Sequence, residues 1–430
     1  MINNKNKRTY ANELTERNEG EEITIGGWLE DIRDIGSIIF GTIRDNTGLI
    51  QIIIKKENQD VFNRIKTIPR QSAMLVDGVI NSSKAKDFKV EIKVSKIEIV
   101  SEAKSKLPID PTGRVNSSLD GRLDSRALDL RNPNITAIFK IRHQTIQSIR
   151  ESFIEQGFLE VTTPKIIGQA AEGGSTLFEL NYFNDKAYLA QSPQLYKEQL
   201  TLALDKVFEI NSFYRAEKSH TTRHLNEFTS VDIEAAFYDE KKVMKVCEKM
   251  IKHTINEINK RSNEDLEKLE HVLPKINGPF KEVTYEKAIE DLKGTDSETE
   301  MGEDLSDSAL KKLGEIHKEF YFITRWPIKL KPFYIKADGE FSPSFDLMYG
   351  ALELASGGTR ISNREELEKR ITESGLKKES FESHLRTYDW GMPPHSGWGF
   401  GLDRFLMVLT GKKNVREVVL YPREQSRLLP

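Results

Sequence analysis

The sequence is poor in cysteine, in long apolar runs and in net charge. Its 430 residues contain one cysteine, Cys247, which excludes an intramolecular disulfide and any cysteine-rich zinc cluster. No stretch approaches the roughly 20 apolar residues of a membrane span, so no membrane association is expected. The amino terminus shows no apolar segment typical of a secretory signal. We therefore expect a soluble, cytoplasmic protein.

The charges nearly cancel, with 64 Lys and Arg against 67 Asp and Glu and a net charge of −3. This balance at first argues against a nucleic-acid partner. Affinity for a polyanion depends, however, on where the cations lie and not on their total, so the exclusion does not hold. The length and the 37% hydrophobic content predict two or three folded domains.

The chain divides into three parts of different character. Residues 20–104 contain five short alternating strands and one helical piece, a pattern that predicts a small β-barrel of OB type and leaves a sandwich open. Residues 105–135 are polar and predict a hinge. Strands and helices then alternate without a strict βαβ rhythm, which favours an α+β domain with an antiparallel sheet flanked by helices. The predicted parts are 1–104, 105–135 and 136–430, with a charge-rich surface insertion around 261–312.

Two segments carry cations suited to phosphate. Residues 208–234 fit a strand–loop–strand unit in which Arg215, Arg223 and His224 surround a polar sheet face. An ordinary solvated hairpin is the alternative. Farther on, three alternate glycines at 397–401 lead into a helix whose first turn holds Asp403 and Arg404, although close strand packing also explains glycine there. The glycine patterns of P-loop and dinucleotide-binding folds are absent.

Two further segments carry groups suited to a metal and to a carboxylate. Glu353 and Ser356 are hard oxygen ligands of the kind that Mg²⁺ prefers on phosphates, unless Glu353 simply lies on an exposed strand edge. Arg360 follows a double glycine and can clamp a carboxylate. Gln194 and Lys197 are three residues apart on a predicted helix and therefore share one face.

In this order and spacing the segments resemble the class II aminoacyl-tRNA synthetases. Residues 158–166 look like motif 1, which ends in Pro164; residues 208–234 look like motif 2, and 397–410 like motif 3. The amino-terminal barrel, 191–197 and 356–360 together resemble the aspartyl-tRNA synthetases of the archaeal type. The likeness covers nearly the whole chain, and it implies a homodimer formed through the motif 1 region.

The resemblance implies an ATP site with Mg²⁺. Arg215 would bridge the α-phosphate and the substrate α-carboxylate, and Arg404 would cover the adenine; these two are the expected catalytic residues. Glu353 and Ser356 would hold Mg²⁺. The full implied ATP-binding set is Arg215, Ala216, Glu217, Arg223, His224, Leu225, Phe228, Glu353, Gly401, Leu402, Asp403 and Arg404.

The resemblance also implies an aspartate site in which Lys197 and Arg360 grip the side-chain carboxylate. Asparagine would turn an amide NH₂ towards these cations and leave buried donors unpaired, which discriminates strongly. The asparaginyl relatives usually lack the lysine that stands at Lys197. The full implied set is Glu172, Gln194, Leu195, Tyr196, Lys197, Arg215, Asp232, Ser356 and Arg360.

The barrel would bind the anticodon of tRNA(Asp). Phe40 would stack on the middle base, unless it belongs to the barrel core, and the residues expected to read base edges are Arg33, Gln51, Glu91 and Lys86. Relatives restricted to tRNA(Asp) tend to carry tryptophan where Glu30 stands. This departure leaves charging of tRNA(Asn) open.

The resemblance thus implies an aspartate–tRNA ligase that consumes ATP and releases AMP and diphosphate. An asparaginyl-tRNA synthetase is the first alternative. A tRNA-independent ligase that forms free asparagine is the second, although such an enzyme needs no anticodon-binding barrel. A non-catalytic tRNA-binding paralogue is the third, and Arg215, Glu353 and Arg404 speak against it.

Overall fold

The computed structural model describes residues 8–104, 106–168, 177–218 and 221–430. By its internal contacts the chain falls into two compact units, Met1–Thr136 and Ala137–Pro430. Each unit has its own apolar core and is described separately below.

The first unit is built around a closed β-barrel. Its elements are β1 (Arg8–Thr9), β2 (Glu22–Asp34), β3 (Ile38–Arg44), β4 (Leu49–Lys55), α1 (Gln59–Thr67), β5 (Ala73–Ser82) and β6 (Val90–Ser101). The strand order is β1-β2-β3-β4-β6-β5, and an additional pairing of β2 with β5 closes the sheet on itself. The predicted barrel is therefore confirmed, and the sandwich is excluded.

Strand periodicity decides which side chains fill this barrel. Along β3, Ile39 and Ile43 are buried, whereas the alternate residues Ile38, Phe40 and Thr42 are only partly covered. Successive side chains of a strand point to opposite faces, so every second residue enters the core. Phe40 consequently lies on the outer face and not in the core.

The predicted hinge contains two short helices, α2 (Leu119–Asp124) and α3 (Arg126–Asp129). Ser118 caps α2 by accepting a hydrogen bond from the amide of Gly121. Buried Arg126 pairs with Asp129 at 2.9 Å. The segment groups with the first unit, and Arg131 lies 4.4 Å above the ring of Trp28. Whether it bends as a hinge stays a prediction.

The second unit contains α4 (Pro133–Glu155), which begins just before it, and nineteen more α-helices and strands among the described residues. These are β7 (Leu159–Glu160), β8 (Ile166–Ile167), β9 (Glu179–Tyr182), β10 (Asp185–Leu189), α5 (Gln194–Leu204), β11 (Lys206–Tyr214), β12 (Glu227–Ala236), α6 (Glu240–Arg261), α7 (Asn263–Lys268), β13 (Lys281–Thr284), α8 (Tyr285–Leu292), α9 (Asp307–Ile316), β14 (Phe320–Thr324), β15 (Ser344–Tyr349), β16 (Leu352–Thr359) and β17 (His395–Gly401), followed by the helices named next.

Three helices complete this unit: α10 (Arg364–Glu373), α11 (Glu382–Tyr388) and α12 (Leu402–Thr410). Short 3-10 helices occur at Ala11–Glu13, Glu16–Asn18, Ile328–Leu330, Lys378–Phe381 and Val415–Glu417. No helix in the described ranges is long and apolar enough to cross a membrane.

An eight-stranded sheet in the order β13-β14-β15-β16-β17-β12-β11-β7 forms the centre of the second unit. All neighbours are antiparallel except the two outer pairs, β13–β14 and β11–β7. Helices α6 and α12 pack on one face, and α5 packs against β11 and β12. The predicted α+β class with an antiparallel sheet is confirmed.

Successive side chains of β12 point alternately to the apolar core and to a polar cavity. Val231 and Ile233 enter the apolar core, whereas Ser230 and Asp232 line a polar cavity on the opposite face. The sheet thus holds the cavity side chains on a rigid support.

The charge-rich segment 261–312 is only partly the surface insertion that we predicted. Its strand β13 joins the edge of the central sheet by parallel pairing with β14. Tyr285, Ala288 and Leu292 of α8 are fully buried in a small second core. Their spacing of three and four residues places them on one helix face, beneath a charged outer face.

Candidate active site

A polar cavity of about 410 Å³ opens on the sheet of the second unit. Its walls come from the β11–β12 hairpin, from β15 to β17, and from the start of α5. The lining includes Gln191, Gln194, Arg215, Glu217, Arg223, His224, Phe228, Asp232, Lys331, Asp346, Glu353, Ser356, Arg360 and Arg404. The four segments that the sequence singled out therefore meet at one place.

The β11–β12 hairpin presents Arg215. Phe213 and Phe228 are paired in register, and Arg215 follows two residues later with its amide bonded to the carbonyl of Asn226 at 2.9 Å. The Asn226 side chain donates to the carbonyls of Arg215 and Glu217 at 2.7 and 2.9 Å, which fixes the turn. The Arg215 guanidinium lies 5.3 Å from the ring of Phe228. Among the described residues its Nε is buried without a hydrogen-bond partner, so this donor is left for a ligand.

Arg404 joins three of the predicted segments. Its guanidinium donates to the carbonyl of Glu353 at 2.9 Å and lies 3.0 Å from Nε2 of His224. Because arginine can only donate, Nε2 of His224 must accept, and the imidazole is therefore neutral. Burial and the positive charge of Arg404 lower the pKa of His224, in agreement with this assignment.

Two carboxylates and a hydroxyl converge on the sheet beside Arg404. Asp346 of β15 pairs in register with Ser356 of β16, and Glu353 lies nearby on the same strand as Ser356. The Glu353 side chain lines the cavity and is 44% exposed. Desolvation by the cavity walls and the negative charge of Asp346 raise the pKa of Glu353. Lys331 offsets part of this charge by bonding both oxygens of Asp346 at 2.9 and 3.0 Å.

A buried cluster of opposite charges lies behind the cavity wall that Asp232 and Arg360 form. Lys197 donates to Asp232 at 2.9 Å and lies 3.6 Å from Glu234. Arg360 binds Glu234 through two nitrogens, at 2.9 and 3.2 Å. These four side chains are almost completely shielded from solvent. Buried charges of this kind persist only when they are paired.

One glycine makes room for this cluster. A Cβ on Gly397 would lie 2.2 Å from the carbonyl oxygen of Ile233 and 2.3 Å from the Glu234 carboxylate. No other residue fits without displacing the strand. At this position close packing is therefore the reason for glycine, as the alternative explanation proposed.

Asp403 is held by protein groups. One carboxylate oxygen binds Arg142 and the other accepts the amide of Thr229 at 2.9 Å. Asp403 therefore ties α12 to α4 and β12. This arrangement orients the start of α12, from which Arg404 reaches into the cavity.

The barrel of the first unit shows a separate polar face. Arg33 and Phe40 are paired across β2 and β3, and Gln51 is paired with Glu91 across β4 and β6. The Gln51 amide donates to the Glu91 carboxylate at 2.6 Å. Lys86 is exposed in the loop between β5 and β6.

Glu30 lies in the wall of the same barrel. It is buried and receives both Nε and Nη2 of Arg44, the second at 2.9 Å. A bidentate pair of this type fixes both side chains in one geometry.

The family is decided by comparison with protein-family models. A model described as tRNA synthetases class II (D, K and N) matches residues 118–425, and one described as an OB-fold nucleic acid binding domain matches residues 23–100. The chain belongs to the class II aminoacyl-tRNA synthetases.

Relatives of this synthetase cover its whole length. An aspartate–tRNA(Asp/Asn) ligase of Methanopyrus kandleri is 44% identical over 99% of this chain and 100% of its own. An aspartate–tRNA(Asp) ligase of Pyrococcus horikoshii is 43% identical over 98% of this chain and 99% of its own. The crystal structure of the asparaginyl-tRNA synthetase from Pyrococcus horikoshii, complexed with asparaginyl-adenylate, has a TM-score of 0.94 at 30% identity, covering both chains fully.

Most of the residues that the sequence predicts to bind ATP or aspartate line the cavity of the synthetase. Those that line it are Gln194, Arg215, Glu217, Arg223, His224, Leu225, Phe228, Asp232, Glu353, Ser356, Arg360, Gly401, Asp403 and Arg404. Five predicted residues do not line it: Ala216, Leu195, Tyr196, Lys197 and Leu402. Lys197 instead lies directly behind Asp232, and Leu402 is in the apolar core. Glu172 lies outside the described residues.

Sequence reasoning missed Asp346 and Lys331 in the synthetase's cavity. Asp346 interrupts an otherwise apolar strand, and this was an available signal. Lys331 lies in an irregular segment where no periodicity indicates its direction.

The carboxylates of the synthetase fit a magnesium ion bound together with ATP. No group of three or more His, Cys, Asp or Glu in the described ranges could hold a metal ion by itself. Asp346, Glu353 and Ser356 nevertheless supply three hard oxygen donors on two neighbouring strands, and all three line the cavity. Phosphate oxygens would complete such a coordination shell.

Proposed function

We propose that this synthetase is an aspartate–tRNA ligase. The observation that carries the proposal is the presence of two buried cations, Arg360 in the cavity wall and Lys197 behind it. Arg360 lines the cavity, and its neighbour Lys197 adds positive charge from behind Asp232. A side-chain carboxylate entering here meets fixed donors, whereas an amide NH₂ would meet only other donors.

In the first step the α-carboxylate of aspartate attacks the α-phosphorus of ATP, and diphosphate leaves. The nucleophile is already charged, so no protein base is needed. Arg215, with its unpartnered Nε, would neutralise the charge that develops on the phosphoryl oxygens. Arg404, held by Glu353 and His224, would support the adenine and the terminal phosphate.

Magnesium would be held by Glu353, Ser356 and Asp346. When bound, it supplies positive charge that screens the phosphates from the approaching carboxylate. Lys331 orients Asp346 for this role by binding its carboxylate.

In the second step the 3′-terminal hydroxyl of the tRNA attacks the carbonyl carbon of the adenylate, and AMP leaves. The barrel would bind the anticodon, with Phe40 available for stacking on its outer face. We include tRNA(Asn) as a second tRNA, because Glu30 is occupied with Arg44 and presents no aromatic ring. The relative from Methanopyrus kandleri carries a name for both tRNAs.

The enzyme would act in the cytoplasm as a homodimer. Ile154, Leu159 and Ile166 near motif 1 are 64%, 53% and 50% exposed, which is unusual for large apolar side chains so close together in the chain. Substitution of Leu159 and Ile166 by lysine should convert the dimer into monomers in light scattering. An unchanged mass would remove the support for this interface.

Asparaginyl-tRNA synthesis is the second candidate, favoured by the likeness to the asparaginyl enzyme with a TM-score of 0.94. Charging of purified tRNA(Asp) and tRNA(Asn) with each amino acid separates the two. We expect aspartate on both tRNAs. Asparagine on tRNA(Asn) would overturn the proposal.

A further inference from the structure

Behind the aspartate site lies a buried polar cluster that has no role in the chemistry described above. Glu198, the residue after Lys197 on α5, is fully buried. Its carboxylate accepts the hydroxyl of Tyr388 at 3.0 Å and lies 3.5 Å from Nε2 of both His384 and His395. A buried charge surrounded in this way is fixed in position.

The fourth partner of Glu198 is Gln194, which lines the cavity. Nε2 of Gln194 donates to Oε1 of Glu198 at 2.5 Å, one helical turn away. A glutamine amide has a donor end and an acceptor end, and only the hydrogen-bond network decides which end points where. The orientation of Gln194 is therefore set by Glu198.

The reverse orientation is excluded by charge. If the amide of Gln194 were turned over, its carbonyl oxygen would face a carboxylate oxygen at hydrogen-bond distance, and both are acceptors unless Glu198 is protonated. Burial alone would raise the pKa of Glu198, but the bonds and charges of His384 and His395 outweigh it and hold this pKa well below its ordinary value. Glu198 is thus ionised and only accepts.

A second contact supports an ionised Glu198. Nδ1 of His395 lies 2.8 Å from the carbonyl oxygen of Pro393, so this nitrogen carries a proton. Its Nε2 lies 3.5 Å from Glu198, and although burial lowers the pKa of His395, the Glu198 and Glu234 carboxylates raise it overall. His395 is therefore an imidazolium, the natural partner of a carboxylate.

From this geometry we infer that Glu198 is a positioning residue for recognition of the substrate α-ammonium group. By holding the NH₂ of Gln194, Glu198 leaves the Gln194 carbonyl oxygen as the end available to the cavity. A carbonyl oxygen accepts a hydrogen bond from an ammonium group, whereas an NH₂ would repel it. The inference rests on the proposed use of aspartate and assigns a role to a residue that does not touch it.

The test compares aspartate with succinate, which keeps both carboxylates and lacks the ammonium group. The KM for aspartate and the inhibition constant of succinate are measured in ATP–diphosphate exchange. Glu198→Met removes the acceptor at similar volume. We expect the KM for aspartate to rise about 10- to 100-fold, with the inhibition constant of succinate and the KM for ATP within about twofold of wild type.

Rescue distinguishes positioning from loosened packing. Glu198→Gln keeps an oxygen that can accept the hydrogen bond from Gln194. Its KM for aspartate should therefore stay within about threefold of the wild-type value. As a matched control, Gln199→Leu removes a 3.1 Å contact with His384 without touching Gln194, and it should leave both constants unchanged. If the methionine variant does not fold, Glu198→Asp keeps the charge for the histidines but is one methylene too short for Gln194, and it should show the same loss.

The outcomes separate the inference from the proposed function. Without aspartate-dependent exchange by the wild-type enzyme, the proposed function fails. If the wild type exchanges, two results with Glu198→Met or Glu198→Asp would refute the positioning role of Glu198. One is an equal rise in the KM for aspartate and in the inhibition constant of succinate. The other is no change in either quantity.

Discussion

Removal of the Arg360 guanidinium should lower both the stability of the protein and its kcat/KM for aspartate, and a second substitution should separate the two effects. In Arg360→Leu, Glu234 loses a bidentate partner at 2.9 and 3.2 Å and stays fully buried. Loss of one partner from a buried pair costs about 3–5 kcal/mol of unfolding free energy. At about 2–4 °C per kcal/mol for a domain of this size, the unfolding temperature should fall by roughly 6–20 °C.

A second substitution should restore stability without restoring function. In Arg360→Leu, Glu234 keeps only Lys197, at 3.6 Å, as an ion-pair partner among the described residues. Glu234→Gln added to this variant removes the poorly compensated charge and keeps the shape that the tight contact with Gly397 demands. Calorimetry should then show at least half of the lost stability regained. The kcat/KM for aspartate in diphosphate exchange should stay about 30- to 1,000-fold below wild type, corresponding to about 2–4 kcal/mol for a lost buried charge contact.

Arg364 provides a matched control. It lies four residues farther along the chain, outside the cavity, and pairs near the surface with Glu368 at 2.9 Å, with Glu382 at 3.1 Å and with Asp389. Because water screens these charges, Arg364→Leu should lower the unfolding temperature much less than Arg360→Leu and leave kcat/KM unchanged. The reasoning is refuted if Arg360→Leu is equally mild, or if the double variant recovers the wild-type kcat/KM for aspartate.

Three further substitutions test other parts of the account. Glu353→Gln should weaken Mn²⁺ binding in the presence of ATP at least about tenfold in paramagnetic resonance titrations, because it removes an oxygen ligand; an unchanged affinity would place the metal elsewhere. Burial lowers the pKa of His395, but Glu198 and Glu234 outweigh this effect and raise it overall. Protonated His395 therefore stabilises the fold below its ordinary pKa of about 6.5, and this contribution disappears as pH rises through the raised value. The unfolding temperature should fall more steeply over that range in wild type than in His395→Gln, and parallel curves would contradict the ion pair. Phe40→Ala should raise the KM for tRNA(Asp) about 5- to 150-fold through lost base stacking, with diphosphate exchange unaffected; an unchanged KM would exclude Phe40 from the anticodon site.

The sequence predicted those elements whose periodicity is local. Helix α12 follows from the glycine-rich lead and the apolar run after Arg404, and it is observed at Leu402–Thr410 with Asp403 and Arg404 in its first turn, as predicted. Strand β13 could not be predicted, because only pairing with β14 distinguishes it from the charged surface segment around it. No pattern within such a short sequence indicates that it pairs in parallel at the edge of a sheet.

The candidate site shows the same limit. Arg215, Glu353 and Arg404 stand out because charged residues in apolar or glycine-rich surroundings need partners. Glu198 and His395 are separated by 197 positions in the chain, and no local pattern connects them. Only the folded sheet reveals that Lys197 lies behind Asp232 and does not open into the cavity.

The central claim concerns which amino acid the cavity activates. The most direct measurement is the ratio of kcat/KM for L-aspartate to that for L-asparagine in ATP–diphosphate exchange by the purified full-length enzyme. Rejection of an amide by buried cations predicts a ratio of at least about 10³ in favour of aspartate. A ratio below one would contradict the account, and exchange with neither amino acid would overturn the assignment of activity.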